Sequence, residues 1–269
     1  MVVATRNRWD RLAETVPHHR APVILVDNAS DRIAGFPVAD LSSVALVRLA
    51  TNRGAAARNV GVRQARTPYV AFADDDSYWT PGSLARAAEL LRAHPQAALL
   101  AARVLVGPEQ RLDPVSSAMA AAPLGTPPGA AGAAVLGFMA CAVVVRRDAF
   151  LAAGGFHPRL FVYGEEALLA MDLAAAGHQL SYVPELVVRH LPGPAGRDVR
   201  ARTRREVRNR VLTATLRRPP AVVARTLLAA LRGNPRGAAD ALRDLPWALR
   251  HRRRLPAVVE ADVARLVAI

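Results

Sequence analysis

The sequence predicts an α/β protein built on a doubly wound sheet, and three observations predict it. Short apolar runs alternate with stretches of helical period over the first two thirds of the chain. The runs are continuously apolar, as are strands buried on both faces of a sheet. Carboxylates stand at their ends: Asp27 after residues 23–26, and Asp74, Asp75 and Asp76 after residues 69–73. Sheets of this class bind their ligands at the carboxyl ends of strands.

Residues 2–5, Val-Val-Ala-Thr, read as a short first strand, 23–26 as a second and 44–49 as a third. Residues 54–65 have helical character and carry Arg58 and Asn59, and 69–73 is the next buried strand. Pro81 opens a helix over 81–93, with Leu84, Ala87, Ala88 and Leu91 at helical spacing. Residues 97–106 are strand-like, and 108–132, rich in Ala, Gly and Pro, read as a loop. Residues 133–145 are strongly apolar but shorter than the ~20 residues that cross a bilayer. They stop at Arg146-Arg147, so a buried strand or core segment is expected. Gly154-Gly155-Phe156 is a turn, 166–176 a helix closed by Gly177, and 180–188 a last strand interrupted at Pro184, with His190 after it. A basic helix is expected over 197–216 and a second over 221–231. Arg218, Arg225 and Arg232, seven apart, would form one stripe.

The 269 residues suffice for one large α/β domain with an appendage, and 52% hydrophobic content supports a sizeable core. A single cysteine, Cys141, excludes an internal disulfide and suits a reducing compartment. No basic-then-apolar secretion order opens the chain. Charge is segregated: residues 1–188 hold 17 arginines against 16 acids, residues 189–269 hold 19 against 6, and lysine is absent. Three readings suit such a basic region. It can be a set of solvated helix faces, an attachment to an anionic membrane surface at about 1 kcal/mol per basic residue, or a nucleic-acid contact. No stacking aromatics accompany the arginines, which disfavours nucleic acid.

If Asp74 and Asp76 continue the strand, they share one side and Asp75 points away. Two carboxylates on one side suit a divalent cation bridging to a diphosphate. The plainer alternative is a solvated loop ahead of Pro81. Asp27-Asn28 at a strand end can accept from a nucleoside or form an Asx turn. Glu165 and Glu166 open a helix, where an anion is stabilised and a fixed base could stand. His190, after a strand, suits a metal or phosphate.

Taken in order, these segments resemble glycosyltransferase family 2 with its GT-A fold, over about residues 2–191. The opening Val2-Val3-Ala4-Thr5-Arg6-Asn7-Arg8 and the stretch VDNASD at 26–31 are similar to that family's nucleotide motifs. Asn52, Gly54, Ala57, Arg58, Asn59 and Gly61 resemble its N-x-G-x-x-x-A-R-N-x-G stretch. Residues 73–76 resemble its D-x-D motif, 154–156 its acceptor turn, 164–166 its E-D motif and 184–190 its last strand and histidine.

The resemblance implies a GT-A type doubly wound mixed sheet flanked by helices over residues 1–192, with a nucleotide-sugar half (about 1–107) and an acceptor half (about 130–192). A basic helical C-terminal region, 193–269, follows. It implies that Thr5, Arg6, Asp27 and Asn28 hold the nucleotide, with Arg58, Asp74 and Asp75 also on the nucleotide-sugar side. Asp74, Asp76 and His190 would bind Mn²⁺ or Mg²⁺, and Glu166 would be the general base with Glu165 beside it. Glu at 166 departs from the family's usual Asp, so Glu165 is an alternative base. The Q-x-x-R-W motif of processive synthases is absent, which points to transfer of a single sugar. The expected partners are a UDP-, dTDP- or GDP-linked sugar and a hydroxyl acceptor, for which a lipid-linked form would suit attachment to a membrane. The expected location is the cytoplasm, at the inner face of the membrane if the basic region attaches there. A sugar nucleotidyltransferase would need a glycine-rich loop after the first strand, and residues 5–8 have no glycine. The other alternative is a degenerate, basic binding protein that has kept the fold.

Overall fold

The computed structural model describes residues 1–32, 43–193 and 198–267. In chain order the elements are β1 (Val2–Thr5), α1 (Trp9–Thr15), β2 (Val23–Asp27), β3 (Val44–Arg48), α2 (Ala57–Gln64), β4 (Tyr69–Asp74), β5 (Ser77–Trp79) and α3 (Ser83–Ala93). Then come β6 (Ala97–Val106), β7 (Arg111–Leu112), α4 (Pro114–Ala120), β8 (Ala133–Ala134), β9 (Val143–Arg146), α5 (Arg147–Ala152), α6 (Glu165–Ala175) and β10 (Gln179–His190). Four helices follow: α7 (Val199–Arg217), α8 (Pro220–Gly233), α9 (Pro235–Arg250) and α10 (Ala257–Val267).

The sheet is mixed, in the order β3-β2-β1-β4-β9-β6-β10-β5, with β7 on β6 and β8 on β10. β1 runs parallel to both β2 and β4, whereas β9 is antiparallel to β4 and β6. The chain moves outward from β1 to β2 and β3, then returns to β4 on the other side of β1. That reversal opens a crevice at the carboxyl ends of β1 and β4, where Thr5 and Asp74 end their strands.

Both sheet faces are covered, which is why the strands read as unbroken apolar runs. On one face, Phe72, Phe150 and Phe156 pack with ring centroids 5.4–5.9 Å apart. Gly61 lets α2 lie against Val2, whose Cγ1 would sit 2.6 Å from an added Cβ. On the other face, Leu12, Leu91, Leu100 and Trp79 are fully or almost fully buried. A third cluster joins Leu160 and Leu168 to Val211, Leu212, Leu216, Ala238, Ala241 and Ala248, so the C-terminal helices share a core with α6.

Several expectations are corrected. Residues 108–132 are not all loop: they hold α4, N-capped by Asp113, whose Oδ1 accepts from Val115 N at 2.8 Å, with Pro114 in its first turn. The apolar run 133–145 is not one strand but β8, a bend, a short 3₁₀ turn over Ala140–Ala142 and the start of β9. β10 is not cut at Pro184; it passes through with a register shift between Val183 and Val187, the bulge that lets a strand carry proline. Arg218 is not in a stripe with Arg225 and Arg232. It caps α7, is buried, and pairs with Glu260 at 2.6 Å. Arg197, the expected start of the basic helix, lies outside the described residues. Among the described residues, no helix is long and apolar enough to cross a membrane.

Candidate active site

One side of the site is a set of turns at the strand ends. Thr5 closes β1, is buried, and donates through Oγ1 to Asp75 Oδ2 at 2.9 Å. Arg6 is exposed and donates through Nε to the Ala29 carbonyl at 3.2 Å. Asn7, in the left-handed region at φ 57°, exchanges two 2.8 Å hydrogen bonds with Asp31. Asp27 is fully buried. Its Oδ1 accepts from Ser30 N and its Oδ2 from Arg48 Nε, each at 3.0 Å. With no exposed surface, it shapes the loop rather than facing the cleft. Asn28 does face the cleft, while its Oδ1 accepts from Arg53 N at 2.7 Å and its Nδ2 donates to the Gly54 carbonyl at 3.1 Å.

The acidic triplet differs from the alternation expected of it. β4 ends at Asp74, and Asp75 and Asp76 form the turn into β5, so the two-residue period stops where the expectation extended it. Asp74 is partly exposed and ion-pairs with Arg58 Nη2. Asp75, expected to point away, is buried against Thr5 and Arg8, and it borders the same cleft of about 200 Å³ as Asp74. Asp76, expected beside Asp74, does not line that cleft. It lies buried between Arg8 Nη2 at 2.7 Å and His190 Nε2 at 3.4 Å. Arg8 therefore bridges Asp75 and Asp76, with Nη1 2.8 Å from Asp75 Oδ1.

Burial raises the Asp75 carboxyl to about 7 against the pull of Arg8. Burial also acts on Asp76, but the hydrogen bonds from His190 and Arg8 outweigh it and hold that carboxyl at about 2. The same bond to Asp76 raises His190 above its ordinary value. Asp76 and His190 thus form a pair 3.4 Å apart, and His190 has to give up its proton before the two can serve as oxygen and nitrogen donors to a Mn²⁺. Among the described residues, no group of three or more His, Cys, Asp or Glu side chains is arranged to hold a metal. A shallower hollow of about 730 Å³ shares Arg6 and Asn52 with the cleft and extends over Ala29, Ser30 and Thr51. Together they have room for an extended ligand.

The other side of the site is the segment from Arg159 to Glu166. Phe161 (φ 65°) and Tyr163 (φ 71°) are left-handed without being glycine, and Gly164 follows at φ 99°. Such conformations persist only where the surroundings enforce them. Here three contacts do so. The Ala55 amide donates to the Phe161 carbonyl at 2.7 Å, and a Cβ on Gly54 would collide with that carbonyl. Asn59 holds the preceding turn, accepting from Phe156 N at 2.9 Å and donating to its carbonyl at 2.8 Å. Asn209 of α7, fully buried, places its Nδ2 2.8–3.0 Å from the carbonyls of Leu160, Val162 and Tyr163. Arg205 and Arg202 lie over the rings of Phe161 and Tyr163, at 4.9 and 5.1 Å. The sequence reading missed Asn209, and its place among the arginines of a helix gives no local signal.

Glu165 and Glu166 open α6 from this segment. Burial raises the proton affinity of both, and the nearby Arg58 charge opposes it. Their mutual interaction raises Glu165, to about 8, and lowers Glu166. The two buried carboxyls therefore compete for a proton, and each holds it more tightly than an ordinary glutamate. Arg58 connects the two sides: it bonds Asp74, and its charge acts on both glutamates. A concavity of about 1100 Å³ between α7 and α9 meets this site through Arg159 and Phe161. Several of its arginines are paired internally, Arg204 and Arg243 with Asp240 and Arg208 with Asp244.

Residues 1–151 match the family model described as glycosyl transferase family 2. No curated protein sequence matches the chain significantly. Among solved structures, the fold is similar to a mannosyltransferase, PcManGT, from Pyrobaculum calidifontis in complex with GDP-Man and Mn²⁺. The TM-score is 0.59 at 22% identity, over 99% of this chain and 74% of that one. It is similar also to GalNAc-T7 with UDP, GalNAc and Mn²⁺ (TM-score 0.67, 15% identity, 99% of this chain and 56% of that one). A third similar structure is S. aureus TarS 1-349 in complex with UDP (TM-score 0.56, 17% identity, 87% and 71%). These neighbours share the GT-A fold with this chain.

Proposed function

The chain belongs to glycosyl transferase family 2, and from that membership we propose that it is an inverting, metal-dependent enzyme that moves one sugar from a nucleotide sugar to a hydroxyl acceptor. The observation that carries this reading is the cleft at the strand ends, where Asp74 is paired with the buried Arg58 and which is bordered by Phe161 and Val162 of the same segment that opens into the Glu165–Glu166 pair. A transferase that inverts in one displacement needs both sides within one donor's reach.

In this reading the nucleotide lies over Thr5, Arg6, Asn28 and the hollow beyond them, and Asp27 keeps that loop in shape. Asp76 and His190 would hold a divalent metal, and Asp74 and Asp75 border the cleft that would take the diphosphate. A bound Mn²⁺ or Mg²⁺ supplies charge neutralisation to the departing diphosphate. Glu166, in its ionised form, accepts the acceptor hydroxyl's proton as its oxygen attacks the anomeric carbon. Donors bound by the similar structures include GDP- and UDP-linked compounds, and those two classes and dTDP-sugars form the panel to test. The acceptor belongs to cell-envelope polysaccharide, glycolipid or secondary-metabolite glycosylation. Release of nucleotide diphosphate from that panel with Mn²⁺ or Mg²⁺ tests the reading; no turnover with any donor and either metal would refute it.

A membrane-surface location is favoured by one observation. Leu228 and Leu231 are exposed on α8 beside Arg225 and Arg232, for which no carboxylate partner exists among the described residues. Apolar and basic side chains on one helix face suit an anionic bilayer surface. Co-sedimentation with phosphatidylglycerol vesicles at low salt, lost at high salt, is expected; no binding at low salt would end this reading.

A further inference from the structure

The 159–166 segment borders two cavities. It gives Phe161 and Val162 to the donor cleft. It gives Gly164 and Glu166 to a separate cavity of about 390 Å³. That second cavity is walled by Val115 and Met119 from α4, by Leu136 and Phe138 from the bend between β8 and β9, and by Leu266 from α10. Glu166 is the sole ionisable side chain among its lining residues.

A sugar acceptor in such a cavity would have to leave hydroxyls without partners, each costing roughly 1–3 kcal/mol. An apolar body would instead replace water against Met119, Leu136, Phe138 and Leu266, with only its hydroxyl needing a polar contact. The volume lies at the small end of small-molecule sites, about 300–1,000 Å³, which suits a ring system or a short alkyl or isoprenoid stretch. We propose that the acceptor is an alcohol on an apolar body, aliphatic or aromatic, seated between α4 and α10 with its hydroxyl at Glu166. This rests on the transferase reading above and adds the class of acceptor to it. In the step, the hydroxyl proton passes to the Glu166 carboxylate and the oxygen forms its bond to the anomeric carbon. The bond from that carbon to the diphosphate oxygen breaks, and its electron pair leaves with the diphosphate.

The test uses the full chain and 2-naphthol, a neutral aromatic alcohol, with methyl glucoside as the polar control. Binding is followed by 2-naphthol fluorescence. Nucleotide diphosphate binding is measured separately by calorimetry. Ala118 is exposed on α4 and borders the cavity, so Ala118→Trp fills the mouth without disturbing the core. Leu266→Asp places a charge in the opposite wall and serves as the second variant. Wild type should bind 2-naphthol at least tenfold tighter than methyl glucoside. Each variant should weaken 2-naphthol at least tenfold and leave nucleotide diphosphate binding within twofold. Equal binding of the two alcohols, or variants that leave 2-naphthol binding within twofold, would overturn the proposal. If no nucleotide diphosphate binds while 2-naphthol binding still responds to both variants, the transferase reading fails and the apolar site stands as a ligand site.

Discussion

The two sides of the site are built in different ways. The donor side holds itself together. Thr5 and Arg8 bond to the acidic triplet, Arg58 bonds Asp74, and Asp27 and Asn28 bond neighbours in the turns beside them, all within the first eighty residues at the ends of adjacent strands; His190, Phe161 and Val162 come from farther along the chain. The acceptor side is held from outside. Its strained turn is pinned by Gly54 and Ala55 beneath and by Asn209, Arg202 and Arg205 of α7 above. The family model covers the first side and stops at residue 151, before the second begins. The basic C-terminal region is therefore more than a charged appendage: part of its charge is spent on the 159–166 segment and on α6, where Arg217 takes both oxygens of Asp172.

On the proposed reading, the largest effects should come from Glu166 and Asp74, one on each side. Glu166→Gln should lower transfer by about 10²–10⁴, the usual contribution of a positioned base, with donor binding retained. Because burial raises the proton affinity of the Glu165–Glu166 pair, wild-type kcat should fall as pH drops through a value above the ordinary 4.5 for glutamate. A kcat flat from pH 5 to 8, or a Gln variant with full turnover, would remove Glu166 as the base. Asp74→Asn should lower turnover by about 10²–10³, the scale of losing one preorganised electrostatic contact, and here donor binding should weaken as well. Equal losses of donor affinity in both variants would erase the distinction between the sides.

Asn209→Ala tests the difference directly. It removes the contacts to the carbonyls of Leu160, Val162 and Tyr163, of which only Val162 borders the donor cleft. A displacement of about 1 Å at a reacting group can cost on the order of 10²-fold, so transfer to the acceptor should drop tenfold or more. Nucleotide diphosphate affinity should stay within twofold. Matching losses of both, measured by calorimetry and product release, would mean that the bundle supports the whole domain and not one side of it.

The donor side was largely legible in the sequence because its chemistry sits where strands end. An apolar run followed by aspartates marks the strand and where it ends, and Asp74, Thr5 and Asn28 line a cleft at those ends. The error in the triplet came from extending a strand period past Asp74 into a turn, which exchanged the surroundings of Asp75 and Asp76. The acceptor side was legible only at Glu165 and Glu166. Asn209 acts on carbonyls 46–49 residues away, and no local pattern encodes a contact of that span. α4 was missed although Asp113-Pro114 is a helix start, because the surrounding Ala, Gly and Pro suggested a loop.

The smallest effect concerns the proton that Glu165 keeps. Burial raises the Glu165 carboxyl to about 8, above the 4.5 of an ordinary glutamate. Between those limits the native state binds a proton that the unfolded chain releases, so stability falls as pH rises through this window and levels off above it. Glu165→Gln is neutral at every pH and resembles the protonated acid in shape. It should match wild type near pH 5 and become the more stable protein toward pH 9, by about 2–4 °C in Tm for each kcal/mol recovered. Gln can donate to Glu166 the same hydrogen bond that the protonated Glu165 gives, so the acid limb of the kcat profile should stay where it is in wild type. A Tm difference that does not change between pH 5 and 9 would place the shared proton on Glu166 instead. Glu165 would then be the base, and the acceptor's hydroxyl would have to lie nearer Arg58 than the apolar cavity.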